Sequence, residues 1–71
     1  MKYTISIQSL VPGDGWHDTA AFRWLADARA YAAKASAEIS DSTFPDRRVR
    51  VEGGDYSAEY LYGKLVGEHL R

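Results

Sequence analysis

Polar and apolar side chains alternate near the start of the chain. Side chains of a strand point alternately to the two faces of a sheet, so this pattern predicts a strand over residues 2–10 with one buried face. Its apolar face would carry Tyr3, Ile5 and Ile7. Residues 11–15 combine proline, glycine and aspartate, which favour a hairpin loop. A second, less regular strand is predicted over residues 16–22.

The spacing of apolar residues changes from two to three or four after this strand. From Trp24 to Ser40 the pattern predicts an alanine-rich helix whose buried stripe is Leu25, Ala28, Tyr31, Ala32, Ala35 and Ile39. Pro45 disfavours helical geometry at the residue before it, so the helix should end within residues 41–45. Residues 47–52 alternate again and predict a third strand, with inward valines at Val49 and Val51.

The C-terminal segment fits two structures. As a helix it has a stripe of Ala58, Leu61, Tyr62, Leu65 and Leu70, although Gly63 and Gly67 each cost up to about 1 kcal/mol relative to alanine. As a strand it follows the hairpin signal of residues 52–55 and places Tyr56, Ala58, Tyr60 and Tyr62 on one face. We favour the helix, with a fourth strand as the alternative.

These elements predict the architecture. A hairpin makes the first two strands antiparallel, and a right-handed crossover through the helix puts the third strand beside the first. The prediction is one α+β domain over residues 1–71, a ββαβ fold with a three-stranded sheet of order 2-1-3. One alanine-rich helix covers the sheet, and an open sheet edge can recruit a partner strand.

Composition limits the class of protein. The chain has 71 residues, 45% of them hydrophobic, and no cysteine, so it should fold without a disulfide framework. A domain this small has marginal stability, which makes a homodimer possible. No apolar run approaches the length of a membrane span, so we expect no membrane contact and a cytoplasmic location. The net charge of −1 provides no overall attraction for nucleic acid.

Candidate catalytic and cofactor chemistry is sparse. The two histidines, His17 and His69, lack an evident nucleophile beside them. His17 and Asp18 point to opposite faces of a strand, so with Asp14 they make a poor metal site. The glycines at 13 and 15 precede a strand instead of a helix, unlike a phosphate-binding loop. We therefore expect no enzyme activity, cofactor or metal.

Arginine and aromatic residues are the features that favour binding. Arg47, Arg48 and Arg50 cluster in the third strand, but Asp46 and Glu52 partly cancel their charge, so nucleic acid is the less favoured partner. Nine aromatic residues are too many for so small a core, and Tyr, Trp and Arg dominate binding hot spots. The residues predicted to contact a protein partner are Trp16, Trp24, Arg47, Arg48, Arg50, Tyr56 and Tyr60.

Residues 3–52 look like many short bacterial ββαβ open reading frames of unassigned function. The likeness rests on the run Trp16–Phe22, on Leu25, Ala28 and Ala32, and on Arg48-Val49-Arg50-Val51, and it implies the fold class only. In size and in its lack of catalytic motifs the chain is also similar to the small inhibitors that phages and mobile elements direct at host machinery, anti-CRISPR proteins included.

The expected function is a non-enzymatic protein-binding module with an exposed aromatic and arginine surface. Its most specific form is a phage- or mobile-element-type inhibitor of host machinery, anti-CRISPR-like. The alternative is a dimeric nucleic-acid-binding regulator.

Overall fold

The computed structural model describes residues 2–9, 13–39 and 47–70. These residues form five strands and one helix, which confirms the α+β class. The elements in chain order are β1 (Tyr3–Gln8), β2 (Trp16–Phe22), α1 (Leu25–Ile39), β3 (Val49–Gly53), β4 (Tyr56–Leu61) and β5 (Lys64–Leu70). The predicted end of the helix within residues 41–45 lies outside the described residues.

All five strands form one antiparallel sheet of order β2-β1-β3-β4-β5. The predicted order 2-1-3 is present, but as part of a larger sheet than the three strands expected. Ile5 of β1 lies opposite Ala20 of β2 and opposite Val51 of β3, so the apolar residues of the three strands share one face of the sheet. This register is expected, because a slip of one residue would turn every buried side chain to solvent.

The predicted C-terminal helix is wrong: residues 56–70 form two further strands. Two tight turns cause this. Gly54, with φ 56°, begins the turn between β3 and β4, and Tyr62 and Gly63, with φ 55° and 79°, connect β4 to β5. Two successive residues with positive φ match the twist of a hairpin and interrupt a helix. The alternative of a fourth strand is therefore confirmed, and β5 is an additional strand.

Helix α1 packs on the face of the sheet that carries Ile5, Val49, Val51 and Ala58, which we call the covered face. Ala28 and Ala32 are fully buried, since their small side chains let the helix approach the strands closely. Tyr31, predicted to be buried, is 38% exposed, and its ring rests 5.2 Å from that of Phe22.

Ser36 is the polar member of the buried helix stripe. Its hydroxyl donates to the carbonyl of Ala33 at 2.9 Å and accepts from the backbone N–H of Gly63 at 2.9 Å. A Cβ at Gly63 would lie 3.2 Å from the Cβ of Ala37. The turn between β4 and β5 is thereby attached to α1 through a satisfied buried hydroxyl.

Both outer strands of the sheet contain a bulge. In β2 the register passes from Ala20 opposite Ile5 to Asp18 opposite Ser6, so Thr19 is an extra residue. In β5 it passes from Leu65 opposite Tyr60 to Gly67 opposite Glu59, so Val66 is extra. Bulges bend a strand and interrupt its hydrogen-bonding edge, which hinders the pairing of edge strands between molecules.

Candidate functional site

The face of the sheet opposite α1 is not covered by any element in the described part of the chain, and we call it the open face. Its side chains are those of the alternate strand residues, which point away from α1, and they are mainly polar or charged. By register it comprises Thr4, Ser6, Gln8, Trp16, Asp18, Ala21, Arg50, Glu52, Ser57, Glu59, Leu61, Lys64, Gly67 and His69. Arg48, directly before β3, belongs to it through its contact with Glu59.

Trp16 and Arg50 are stacked on this face, with the guanidinium carbon of Arg50 4.0 Å from the centre of the Trp16 ring. Strand β1 lies between the strands of Trp16 and Arg50, so the contact between these two side chains crosses over β1. Ser6, which lies in β1 on the same face, is only 5% exposed. The Ser6 hydroxyl donates to Asp18 Oδ1 at 2.8 Å. A cation–π contact of this kind stabilises by about 0.5–1 kcal/mol at an exposed site and keeps the arginine in place.

Two glutamates pair with Arg48, which precedes β3, and with Arg50 of β3, and Glu59 contacts both arginines. Arg48 Nη1 lies 3.3 Å from Glu59 Oε1, and Arg50 lies 4.0 Å from Glu59 Oε2 and 3.6 Å from Glu52 Oε1. These side chains are 28% to 54% exposed. Partly exposed ion pairs contribute about 0–1 kcal/mol each, so the carboxylates can be exchanged for those of another molecule at little cost.

Arg47 has a different position from the other two arginines. Its Nε donates to the carbonyl oxygen of Gln8 at 2.8 Å. The backbone N–H of Arg48 donates to Gln8 Oε1 at 3.2 Å, and that of Gln8 donates to the carbonyl of Arg48 at 3.0 Å. Arg47 therefore holds the end of β1 against the start of β3, whereas Arg48 and Arg50 present their side chains on the open face.

Trp24 is the most exposed aromatic residue among the described large hydrophobics, at 63%. It lies in the link between β2 and α1, where its carbonyl accepts the backbone N–H of Ala28 at 3.1 Å. The guanidinium carbon of Arg23 lies 5.5 Å from its ring centre. The two tryptophans thus mark opposite ends of β2 and do not form one cluster.

Tyr56 and Tyr60, which were predicted to belong to an exposed surface, lie in the core at 8% and 4% exposure. The physical reason is the strand geometry of β4, which directs residues 56, 58 and 60 towards α1. Burial, followed by a 2.6 Å hydrogen bond that the Tyr56 hydroxyl donates to Glu68, raises the pKa of Tyr56 to about 12. The prediction that Tyr56 and Tyr60 are exposed is therefore wrong.

The tip of the first hairpin brings together His17 and Asp14, whose Nε2 and Oδ2 atoms are 2.7 Å apart. The hydrogen bond from His17, with a second one from Ser9, lowers the pKa of Asp14. Asp18 lies on the open face with Ser6 instead. Within the described residues, no three histidine or acidic side chains are placed to share a metal ion.

Sequence reasoning missed the role of Glu59 as the acid between the two arginines. Glu59 lies opposite Arg50 because β4 follows β3 through a two-residue turn. The hairpin signal at residues 52–55 contained this information, since a strand after it puts alternate residues on the same face as the arginines.

Comparison of the chain with protein-family models, with curated proteins and with solved structures finds no match. Within the described ranges, no helix has the length and the apolar character that a membrane crossing requires.

Proposed function

We propose that the chain is a non-enzymatic protein-binding module whose open face contacts the partner. The contacting residues would be Trp16, Arg48 and Arg50, with Trp24 as an additional exposed anchor. One observation carries the proposal: the stack of Arg50 on Trp16 at 4.0 Å, on a face that no described element covers. Tryptophan and arginine are enriched among hot-spot residues, and a side chain already held in place loses less entropy on binding.

The chemistry of this face favours a partner that offers carboxylates. Arg48, directly before β3, and Arg50, within β3, are two residues apart, and both already pair with the carboxylate of Glu59. A partner carboxylate can replace Glu59 or Glu52 on the arginines, because these ion pairs are partly exposed. The acidic residues then remain available to basic groups of the partner, which would determine the orientation of the complex.

The more specific form of the proposal is a cytoplasmic inhibitor of host machinery from a phage or mobile element, anti-CRISPR-like. It rests on the general character of the sequence alone. A partner that is a component of a bacterial defence complex, and whose activity the purified protein blocks, would support this form. A partner that remains fully active in the complex would contradict it.

The double variant Arg48→Gln, Arg50→Gln tests the binding face. The tagged protein is first used to capture its partner from a lysate of the native host, before and after nuclease treatment. Affinity for that partner is then measured for the wild type and the variant. We expect a loss of about tenfold or more, since removing charges that contact a partner typically costs over 1.4 kcal/mol.

Lys34→Glu is the matched control, because Lys34 is exposed on α1, on the other side of the sheet. It should keep the wild-type affinity. The melting temperature of the double variant should stay within a few degrees of the wild type, as partly exposed ion pairs contribute little. Unchanged affinity in the arginine variant would refute the assignment of this face.

A nucleic-acid-binding regulator, dimeric in the form we expected, is the second candidate. The observation that favours it is the same Trp16–Arg50 pair, since aromatic rings and guanidinium groups stack on bases. The pairing of Arg48 and Arg50 with glutamates weighs against it. This candidate predicts retardation of oligonucleotides at low salt that disappears steeply as salt increases. No retardation at low salt would remove it.

A further inference from the structure

The covered face extends beyond α1 at the β5 edge of the sheet. Leu65 and Leu70 lie opposite Tyr60 and Tyr56, which point towards the helix, yet they are 41% and 77% exposed. Val66 and Tyr62 beside them are each 49% exposed. We call this surface the edge strip and define it by Tyr62, Leu65, Val66, Glu68 and Leu70 together with Arg29 of α1. It is separate from the open face of the proposed function.

Two opposite charges lie in the middle of the edge strip. Arg29 donates from Nε to the hydroxyl of Tyr60 at 3.2 Å, and Glu68 accepts from the hydroxyl of Tyr56 at 2.6 Å. The bond from Nε leaves the two terminal nitrogens of the guanidinium for a second partner. The buried tyrosines therefore hold a basic and an acidic group at fixed places between apolar side chains.

This arrangement is complementary to itself. A two-fold interface brings the same patch of both copies together, so each charge must meet its opposite after a half turn. A two-fold axis that passes between Arg29 and Glu68 places Arg29 of each copy beside Glu68 of the other. The apolar residues lie at both ends of the strip, Leu65 and Val66 before Glu68 and Leu70 after it, so apolar side chains flank the charges in both copies.

We propose that a second copy of this chain occupies the edge strip, with Arg29 of each copy paired to Glu68 of the other and Leu70 packed against the apolar side chains of the partner. The contact is between side chains and not between strand edges, because the bulge at Val66 interrupts the outer edge of β5.

The strip is small, and this limits the affinity. A stable interface buries roughly 800 Å² on each partner, about a sixth of the 4715 Å² surface of the described chain. The edge strip offers four large apolar side chains and one pair of charges. We therefore expect dimers that form between micromolar and millimolar concentration.

Sedimentation equilibrium of purified full chain over that concentration range tests the proposal. Arg29→Glu gives the strip two negative charges, and Glu68→Arg gives it two positive charges. Each variant alone should associate at least about tenfold more weakly than the wild type. An equimolar mixture of the two should form a heterodimer of wild-type affinity, since every charge then meets its opposite. An ion pair between Arg29 and Glu68 of the same chain cannot explain wild-type affinity in the mixture when each variant alone associates weakly.

Two further variants complete the test. Leu70→Ser should weaken the dimer without loss of the fold, because Leu70 is 77% exposed. Lys34→Glu changes the charge of α1 away from the strip and should leave the dimer unchanged. Circular dichroism verifies folding, and if a charge variant does not fold, Leu70→Ser decides. A monomeric wild type, a mixture that does not associate, or a Leu70→Ser dimer as strong as the wild type would each overturn the proposal.

Discussion

On the covered face, Ile5 and Val51 are fully buried beneath α1. On the open face, Arg50 and Glu52, the chain neighbours of Val51, are paired with each other at 3.6 Å and remain partly exposed. The same strands supply both sets of residues, because alternate side chains point in opposite directions. The two faces therefore share one backbone and differ in their environment: α1 covers one face, and no described element covers the other.

The difference separates stability from binding. Full burial of an aliphatic side chain contributes about 1.5–3 kcal/mol, while a partly exposed ion pair contributes about 0–1 kcal/mol. A domain of 71 residues has a total stability of only about 4–10 kcal/mol. The covered face must therefore provide most of it, and residues of the open face can change with little loss of the fold.

The strongest contrast should come from neighbouring residues of β1. Ile5→Ala leaves a cavity beneath α1 and should lower the free energy of unfolding by about 2–5 kcal/mol. Thr4→Ala, on the open face, should lower it by about 1 kcal/mol or less. Urea denaturation of both variants measures the two changes. Equal losses would show that the open face is as important for the fold as the covered one.

Each face also carries a glycine, and these give a contrast of intermediate size. A Cβ at Gly53 would lie 2.5 Å from Cδ1 of Tyr3 and 2.7 Å from the carbonyl oxygen of Lys2, whereas a Cβ at Gly67 would meet no atom within 4 Å. Gly53→Ala should therefore destabilise by about 1–3 kcal/mol. Gly67→Ala should be neutral or slightly stabilising. Thermal melts of the two variants compare them, and a destabilised Gly67→Ala would contradict the open position of that residue.

Alkaline pH should lower the stability of the folded protein through the ionisation of Tyr56, which lies on the covered face. Its pKa in the folded protein is about 12 against an ordinary value of 10.0, so the folded state retains a proton that the unfolded state releases. The free energy of unfolding should therefore be unaffected by Tyr56 below pH 10 and should decrease by up to about 2 kcal/mol between pH 10 and 12.

Tyr56→Phe removes this ionisation and isolates its effect from that of the other tyrosines. Denaturation at several alkaline pH values should show a shallower decrease for the variant than for the wild type. Identical slopes would mean that the folded protein does not protect the Tyr56 phenol.

Strands β1 and β3 and the helix follow from the sequence because each carries one clear period. Strand β2 was predicted as less regular, and its bulge at Thr19 interrupts the alternation. The C-terminal strands do not follow from the sequence, since Ala58, Leu61, Tyr62 and Leu65 fit helical spacing as well as partial alternation. The bulge at Val66 removes the regular alternation that would have identified β5. Gly63, which closes the turn between β4 and β5 with φ 79°, was the better signal, but it was counted only as a cost to a helix.

The candidate site was predictable only in part. The outward position of Arg48 and Arg50 was predicted correctly, whereas Arg47 donates to the backbone of Gln8. That Trp16 and these arginines contact a partner stays a prediction. The contact between Trp16 and Arg50 depends on two strand registers and on a side chain that spans β1, which no local pattern contains. Tyr56 and Tyr60 were misplaced because exposure follows from the element that carries them, and that element was assigned as a helix.

The order of strands in the sheet has a consequence for how the chain folds. Strands β3, β4 and β5 are joined by two-residue turns, so they can pair within microseconds of each other once that part of the chain is free. In contrast, pairing of Ile7 with Val49 closes a loop of about forty residues, and such closure slows folding. During synthesis the first hairpin and α1 are made before β3, so β1 obtains its second partner strand only after β3 has emerged.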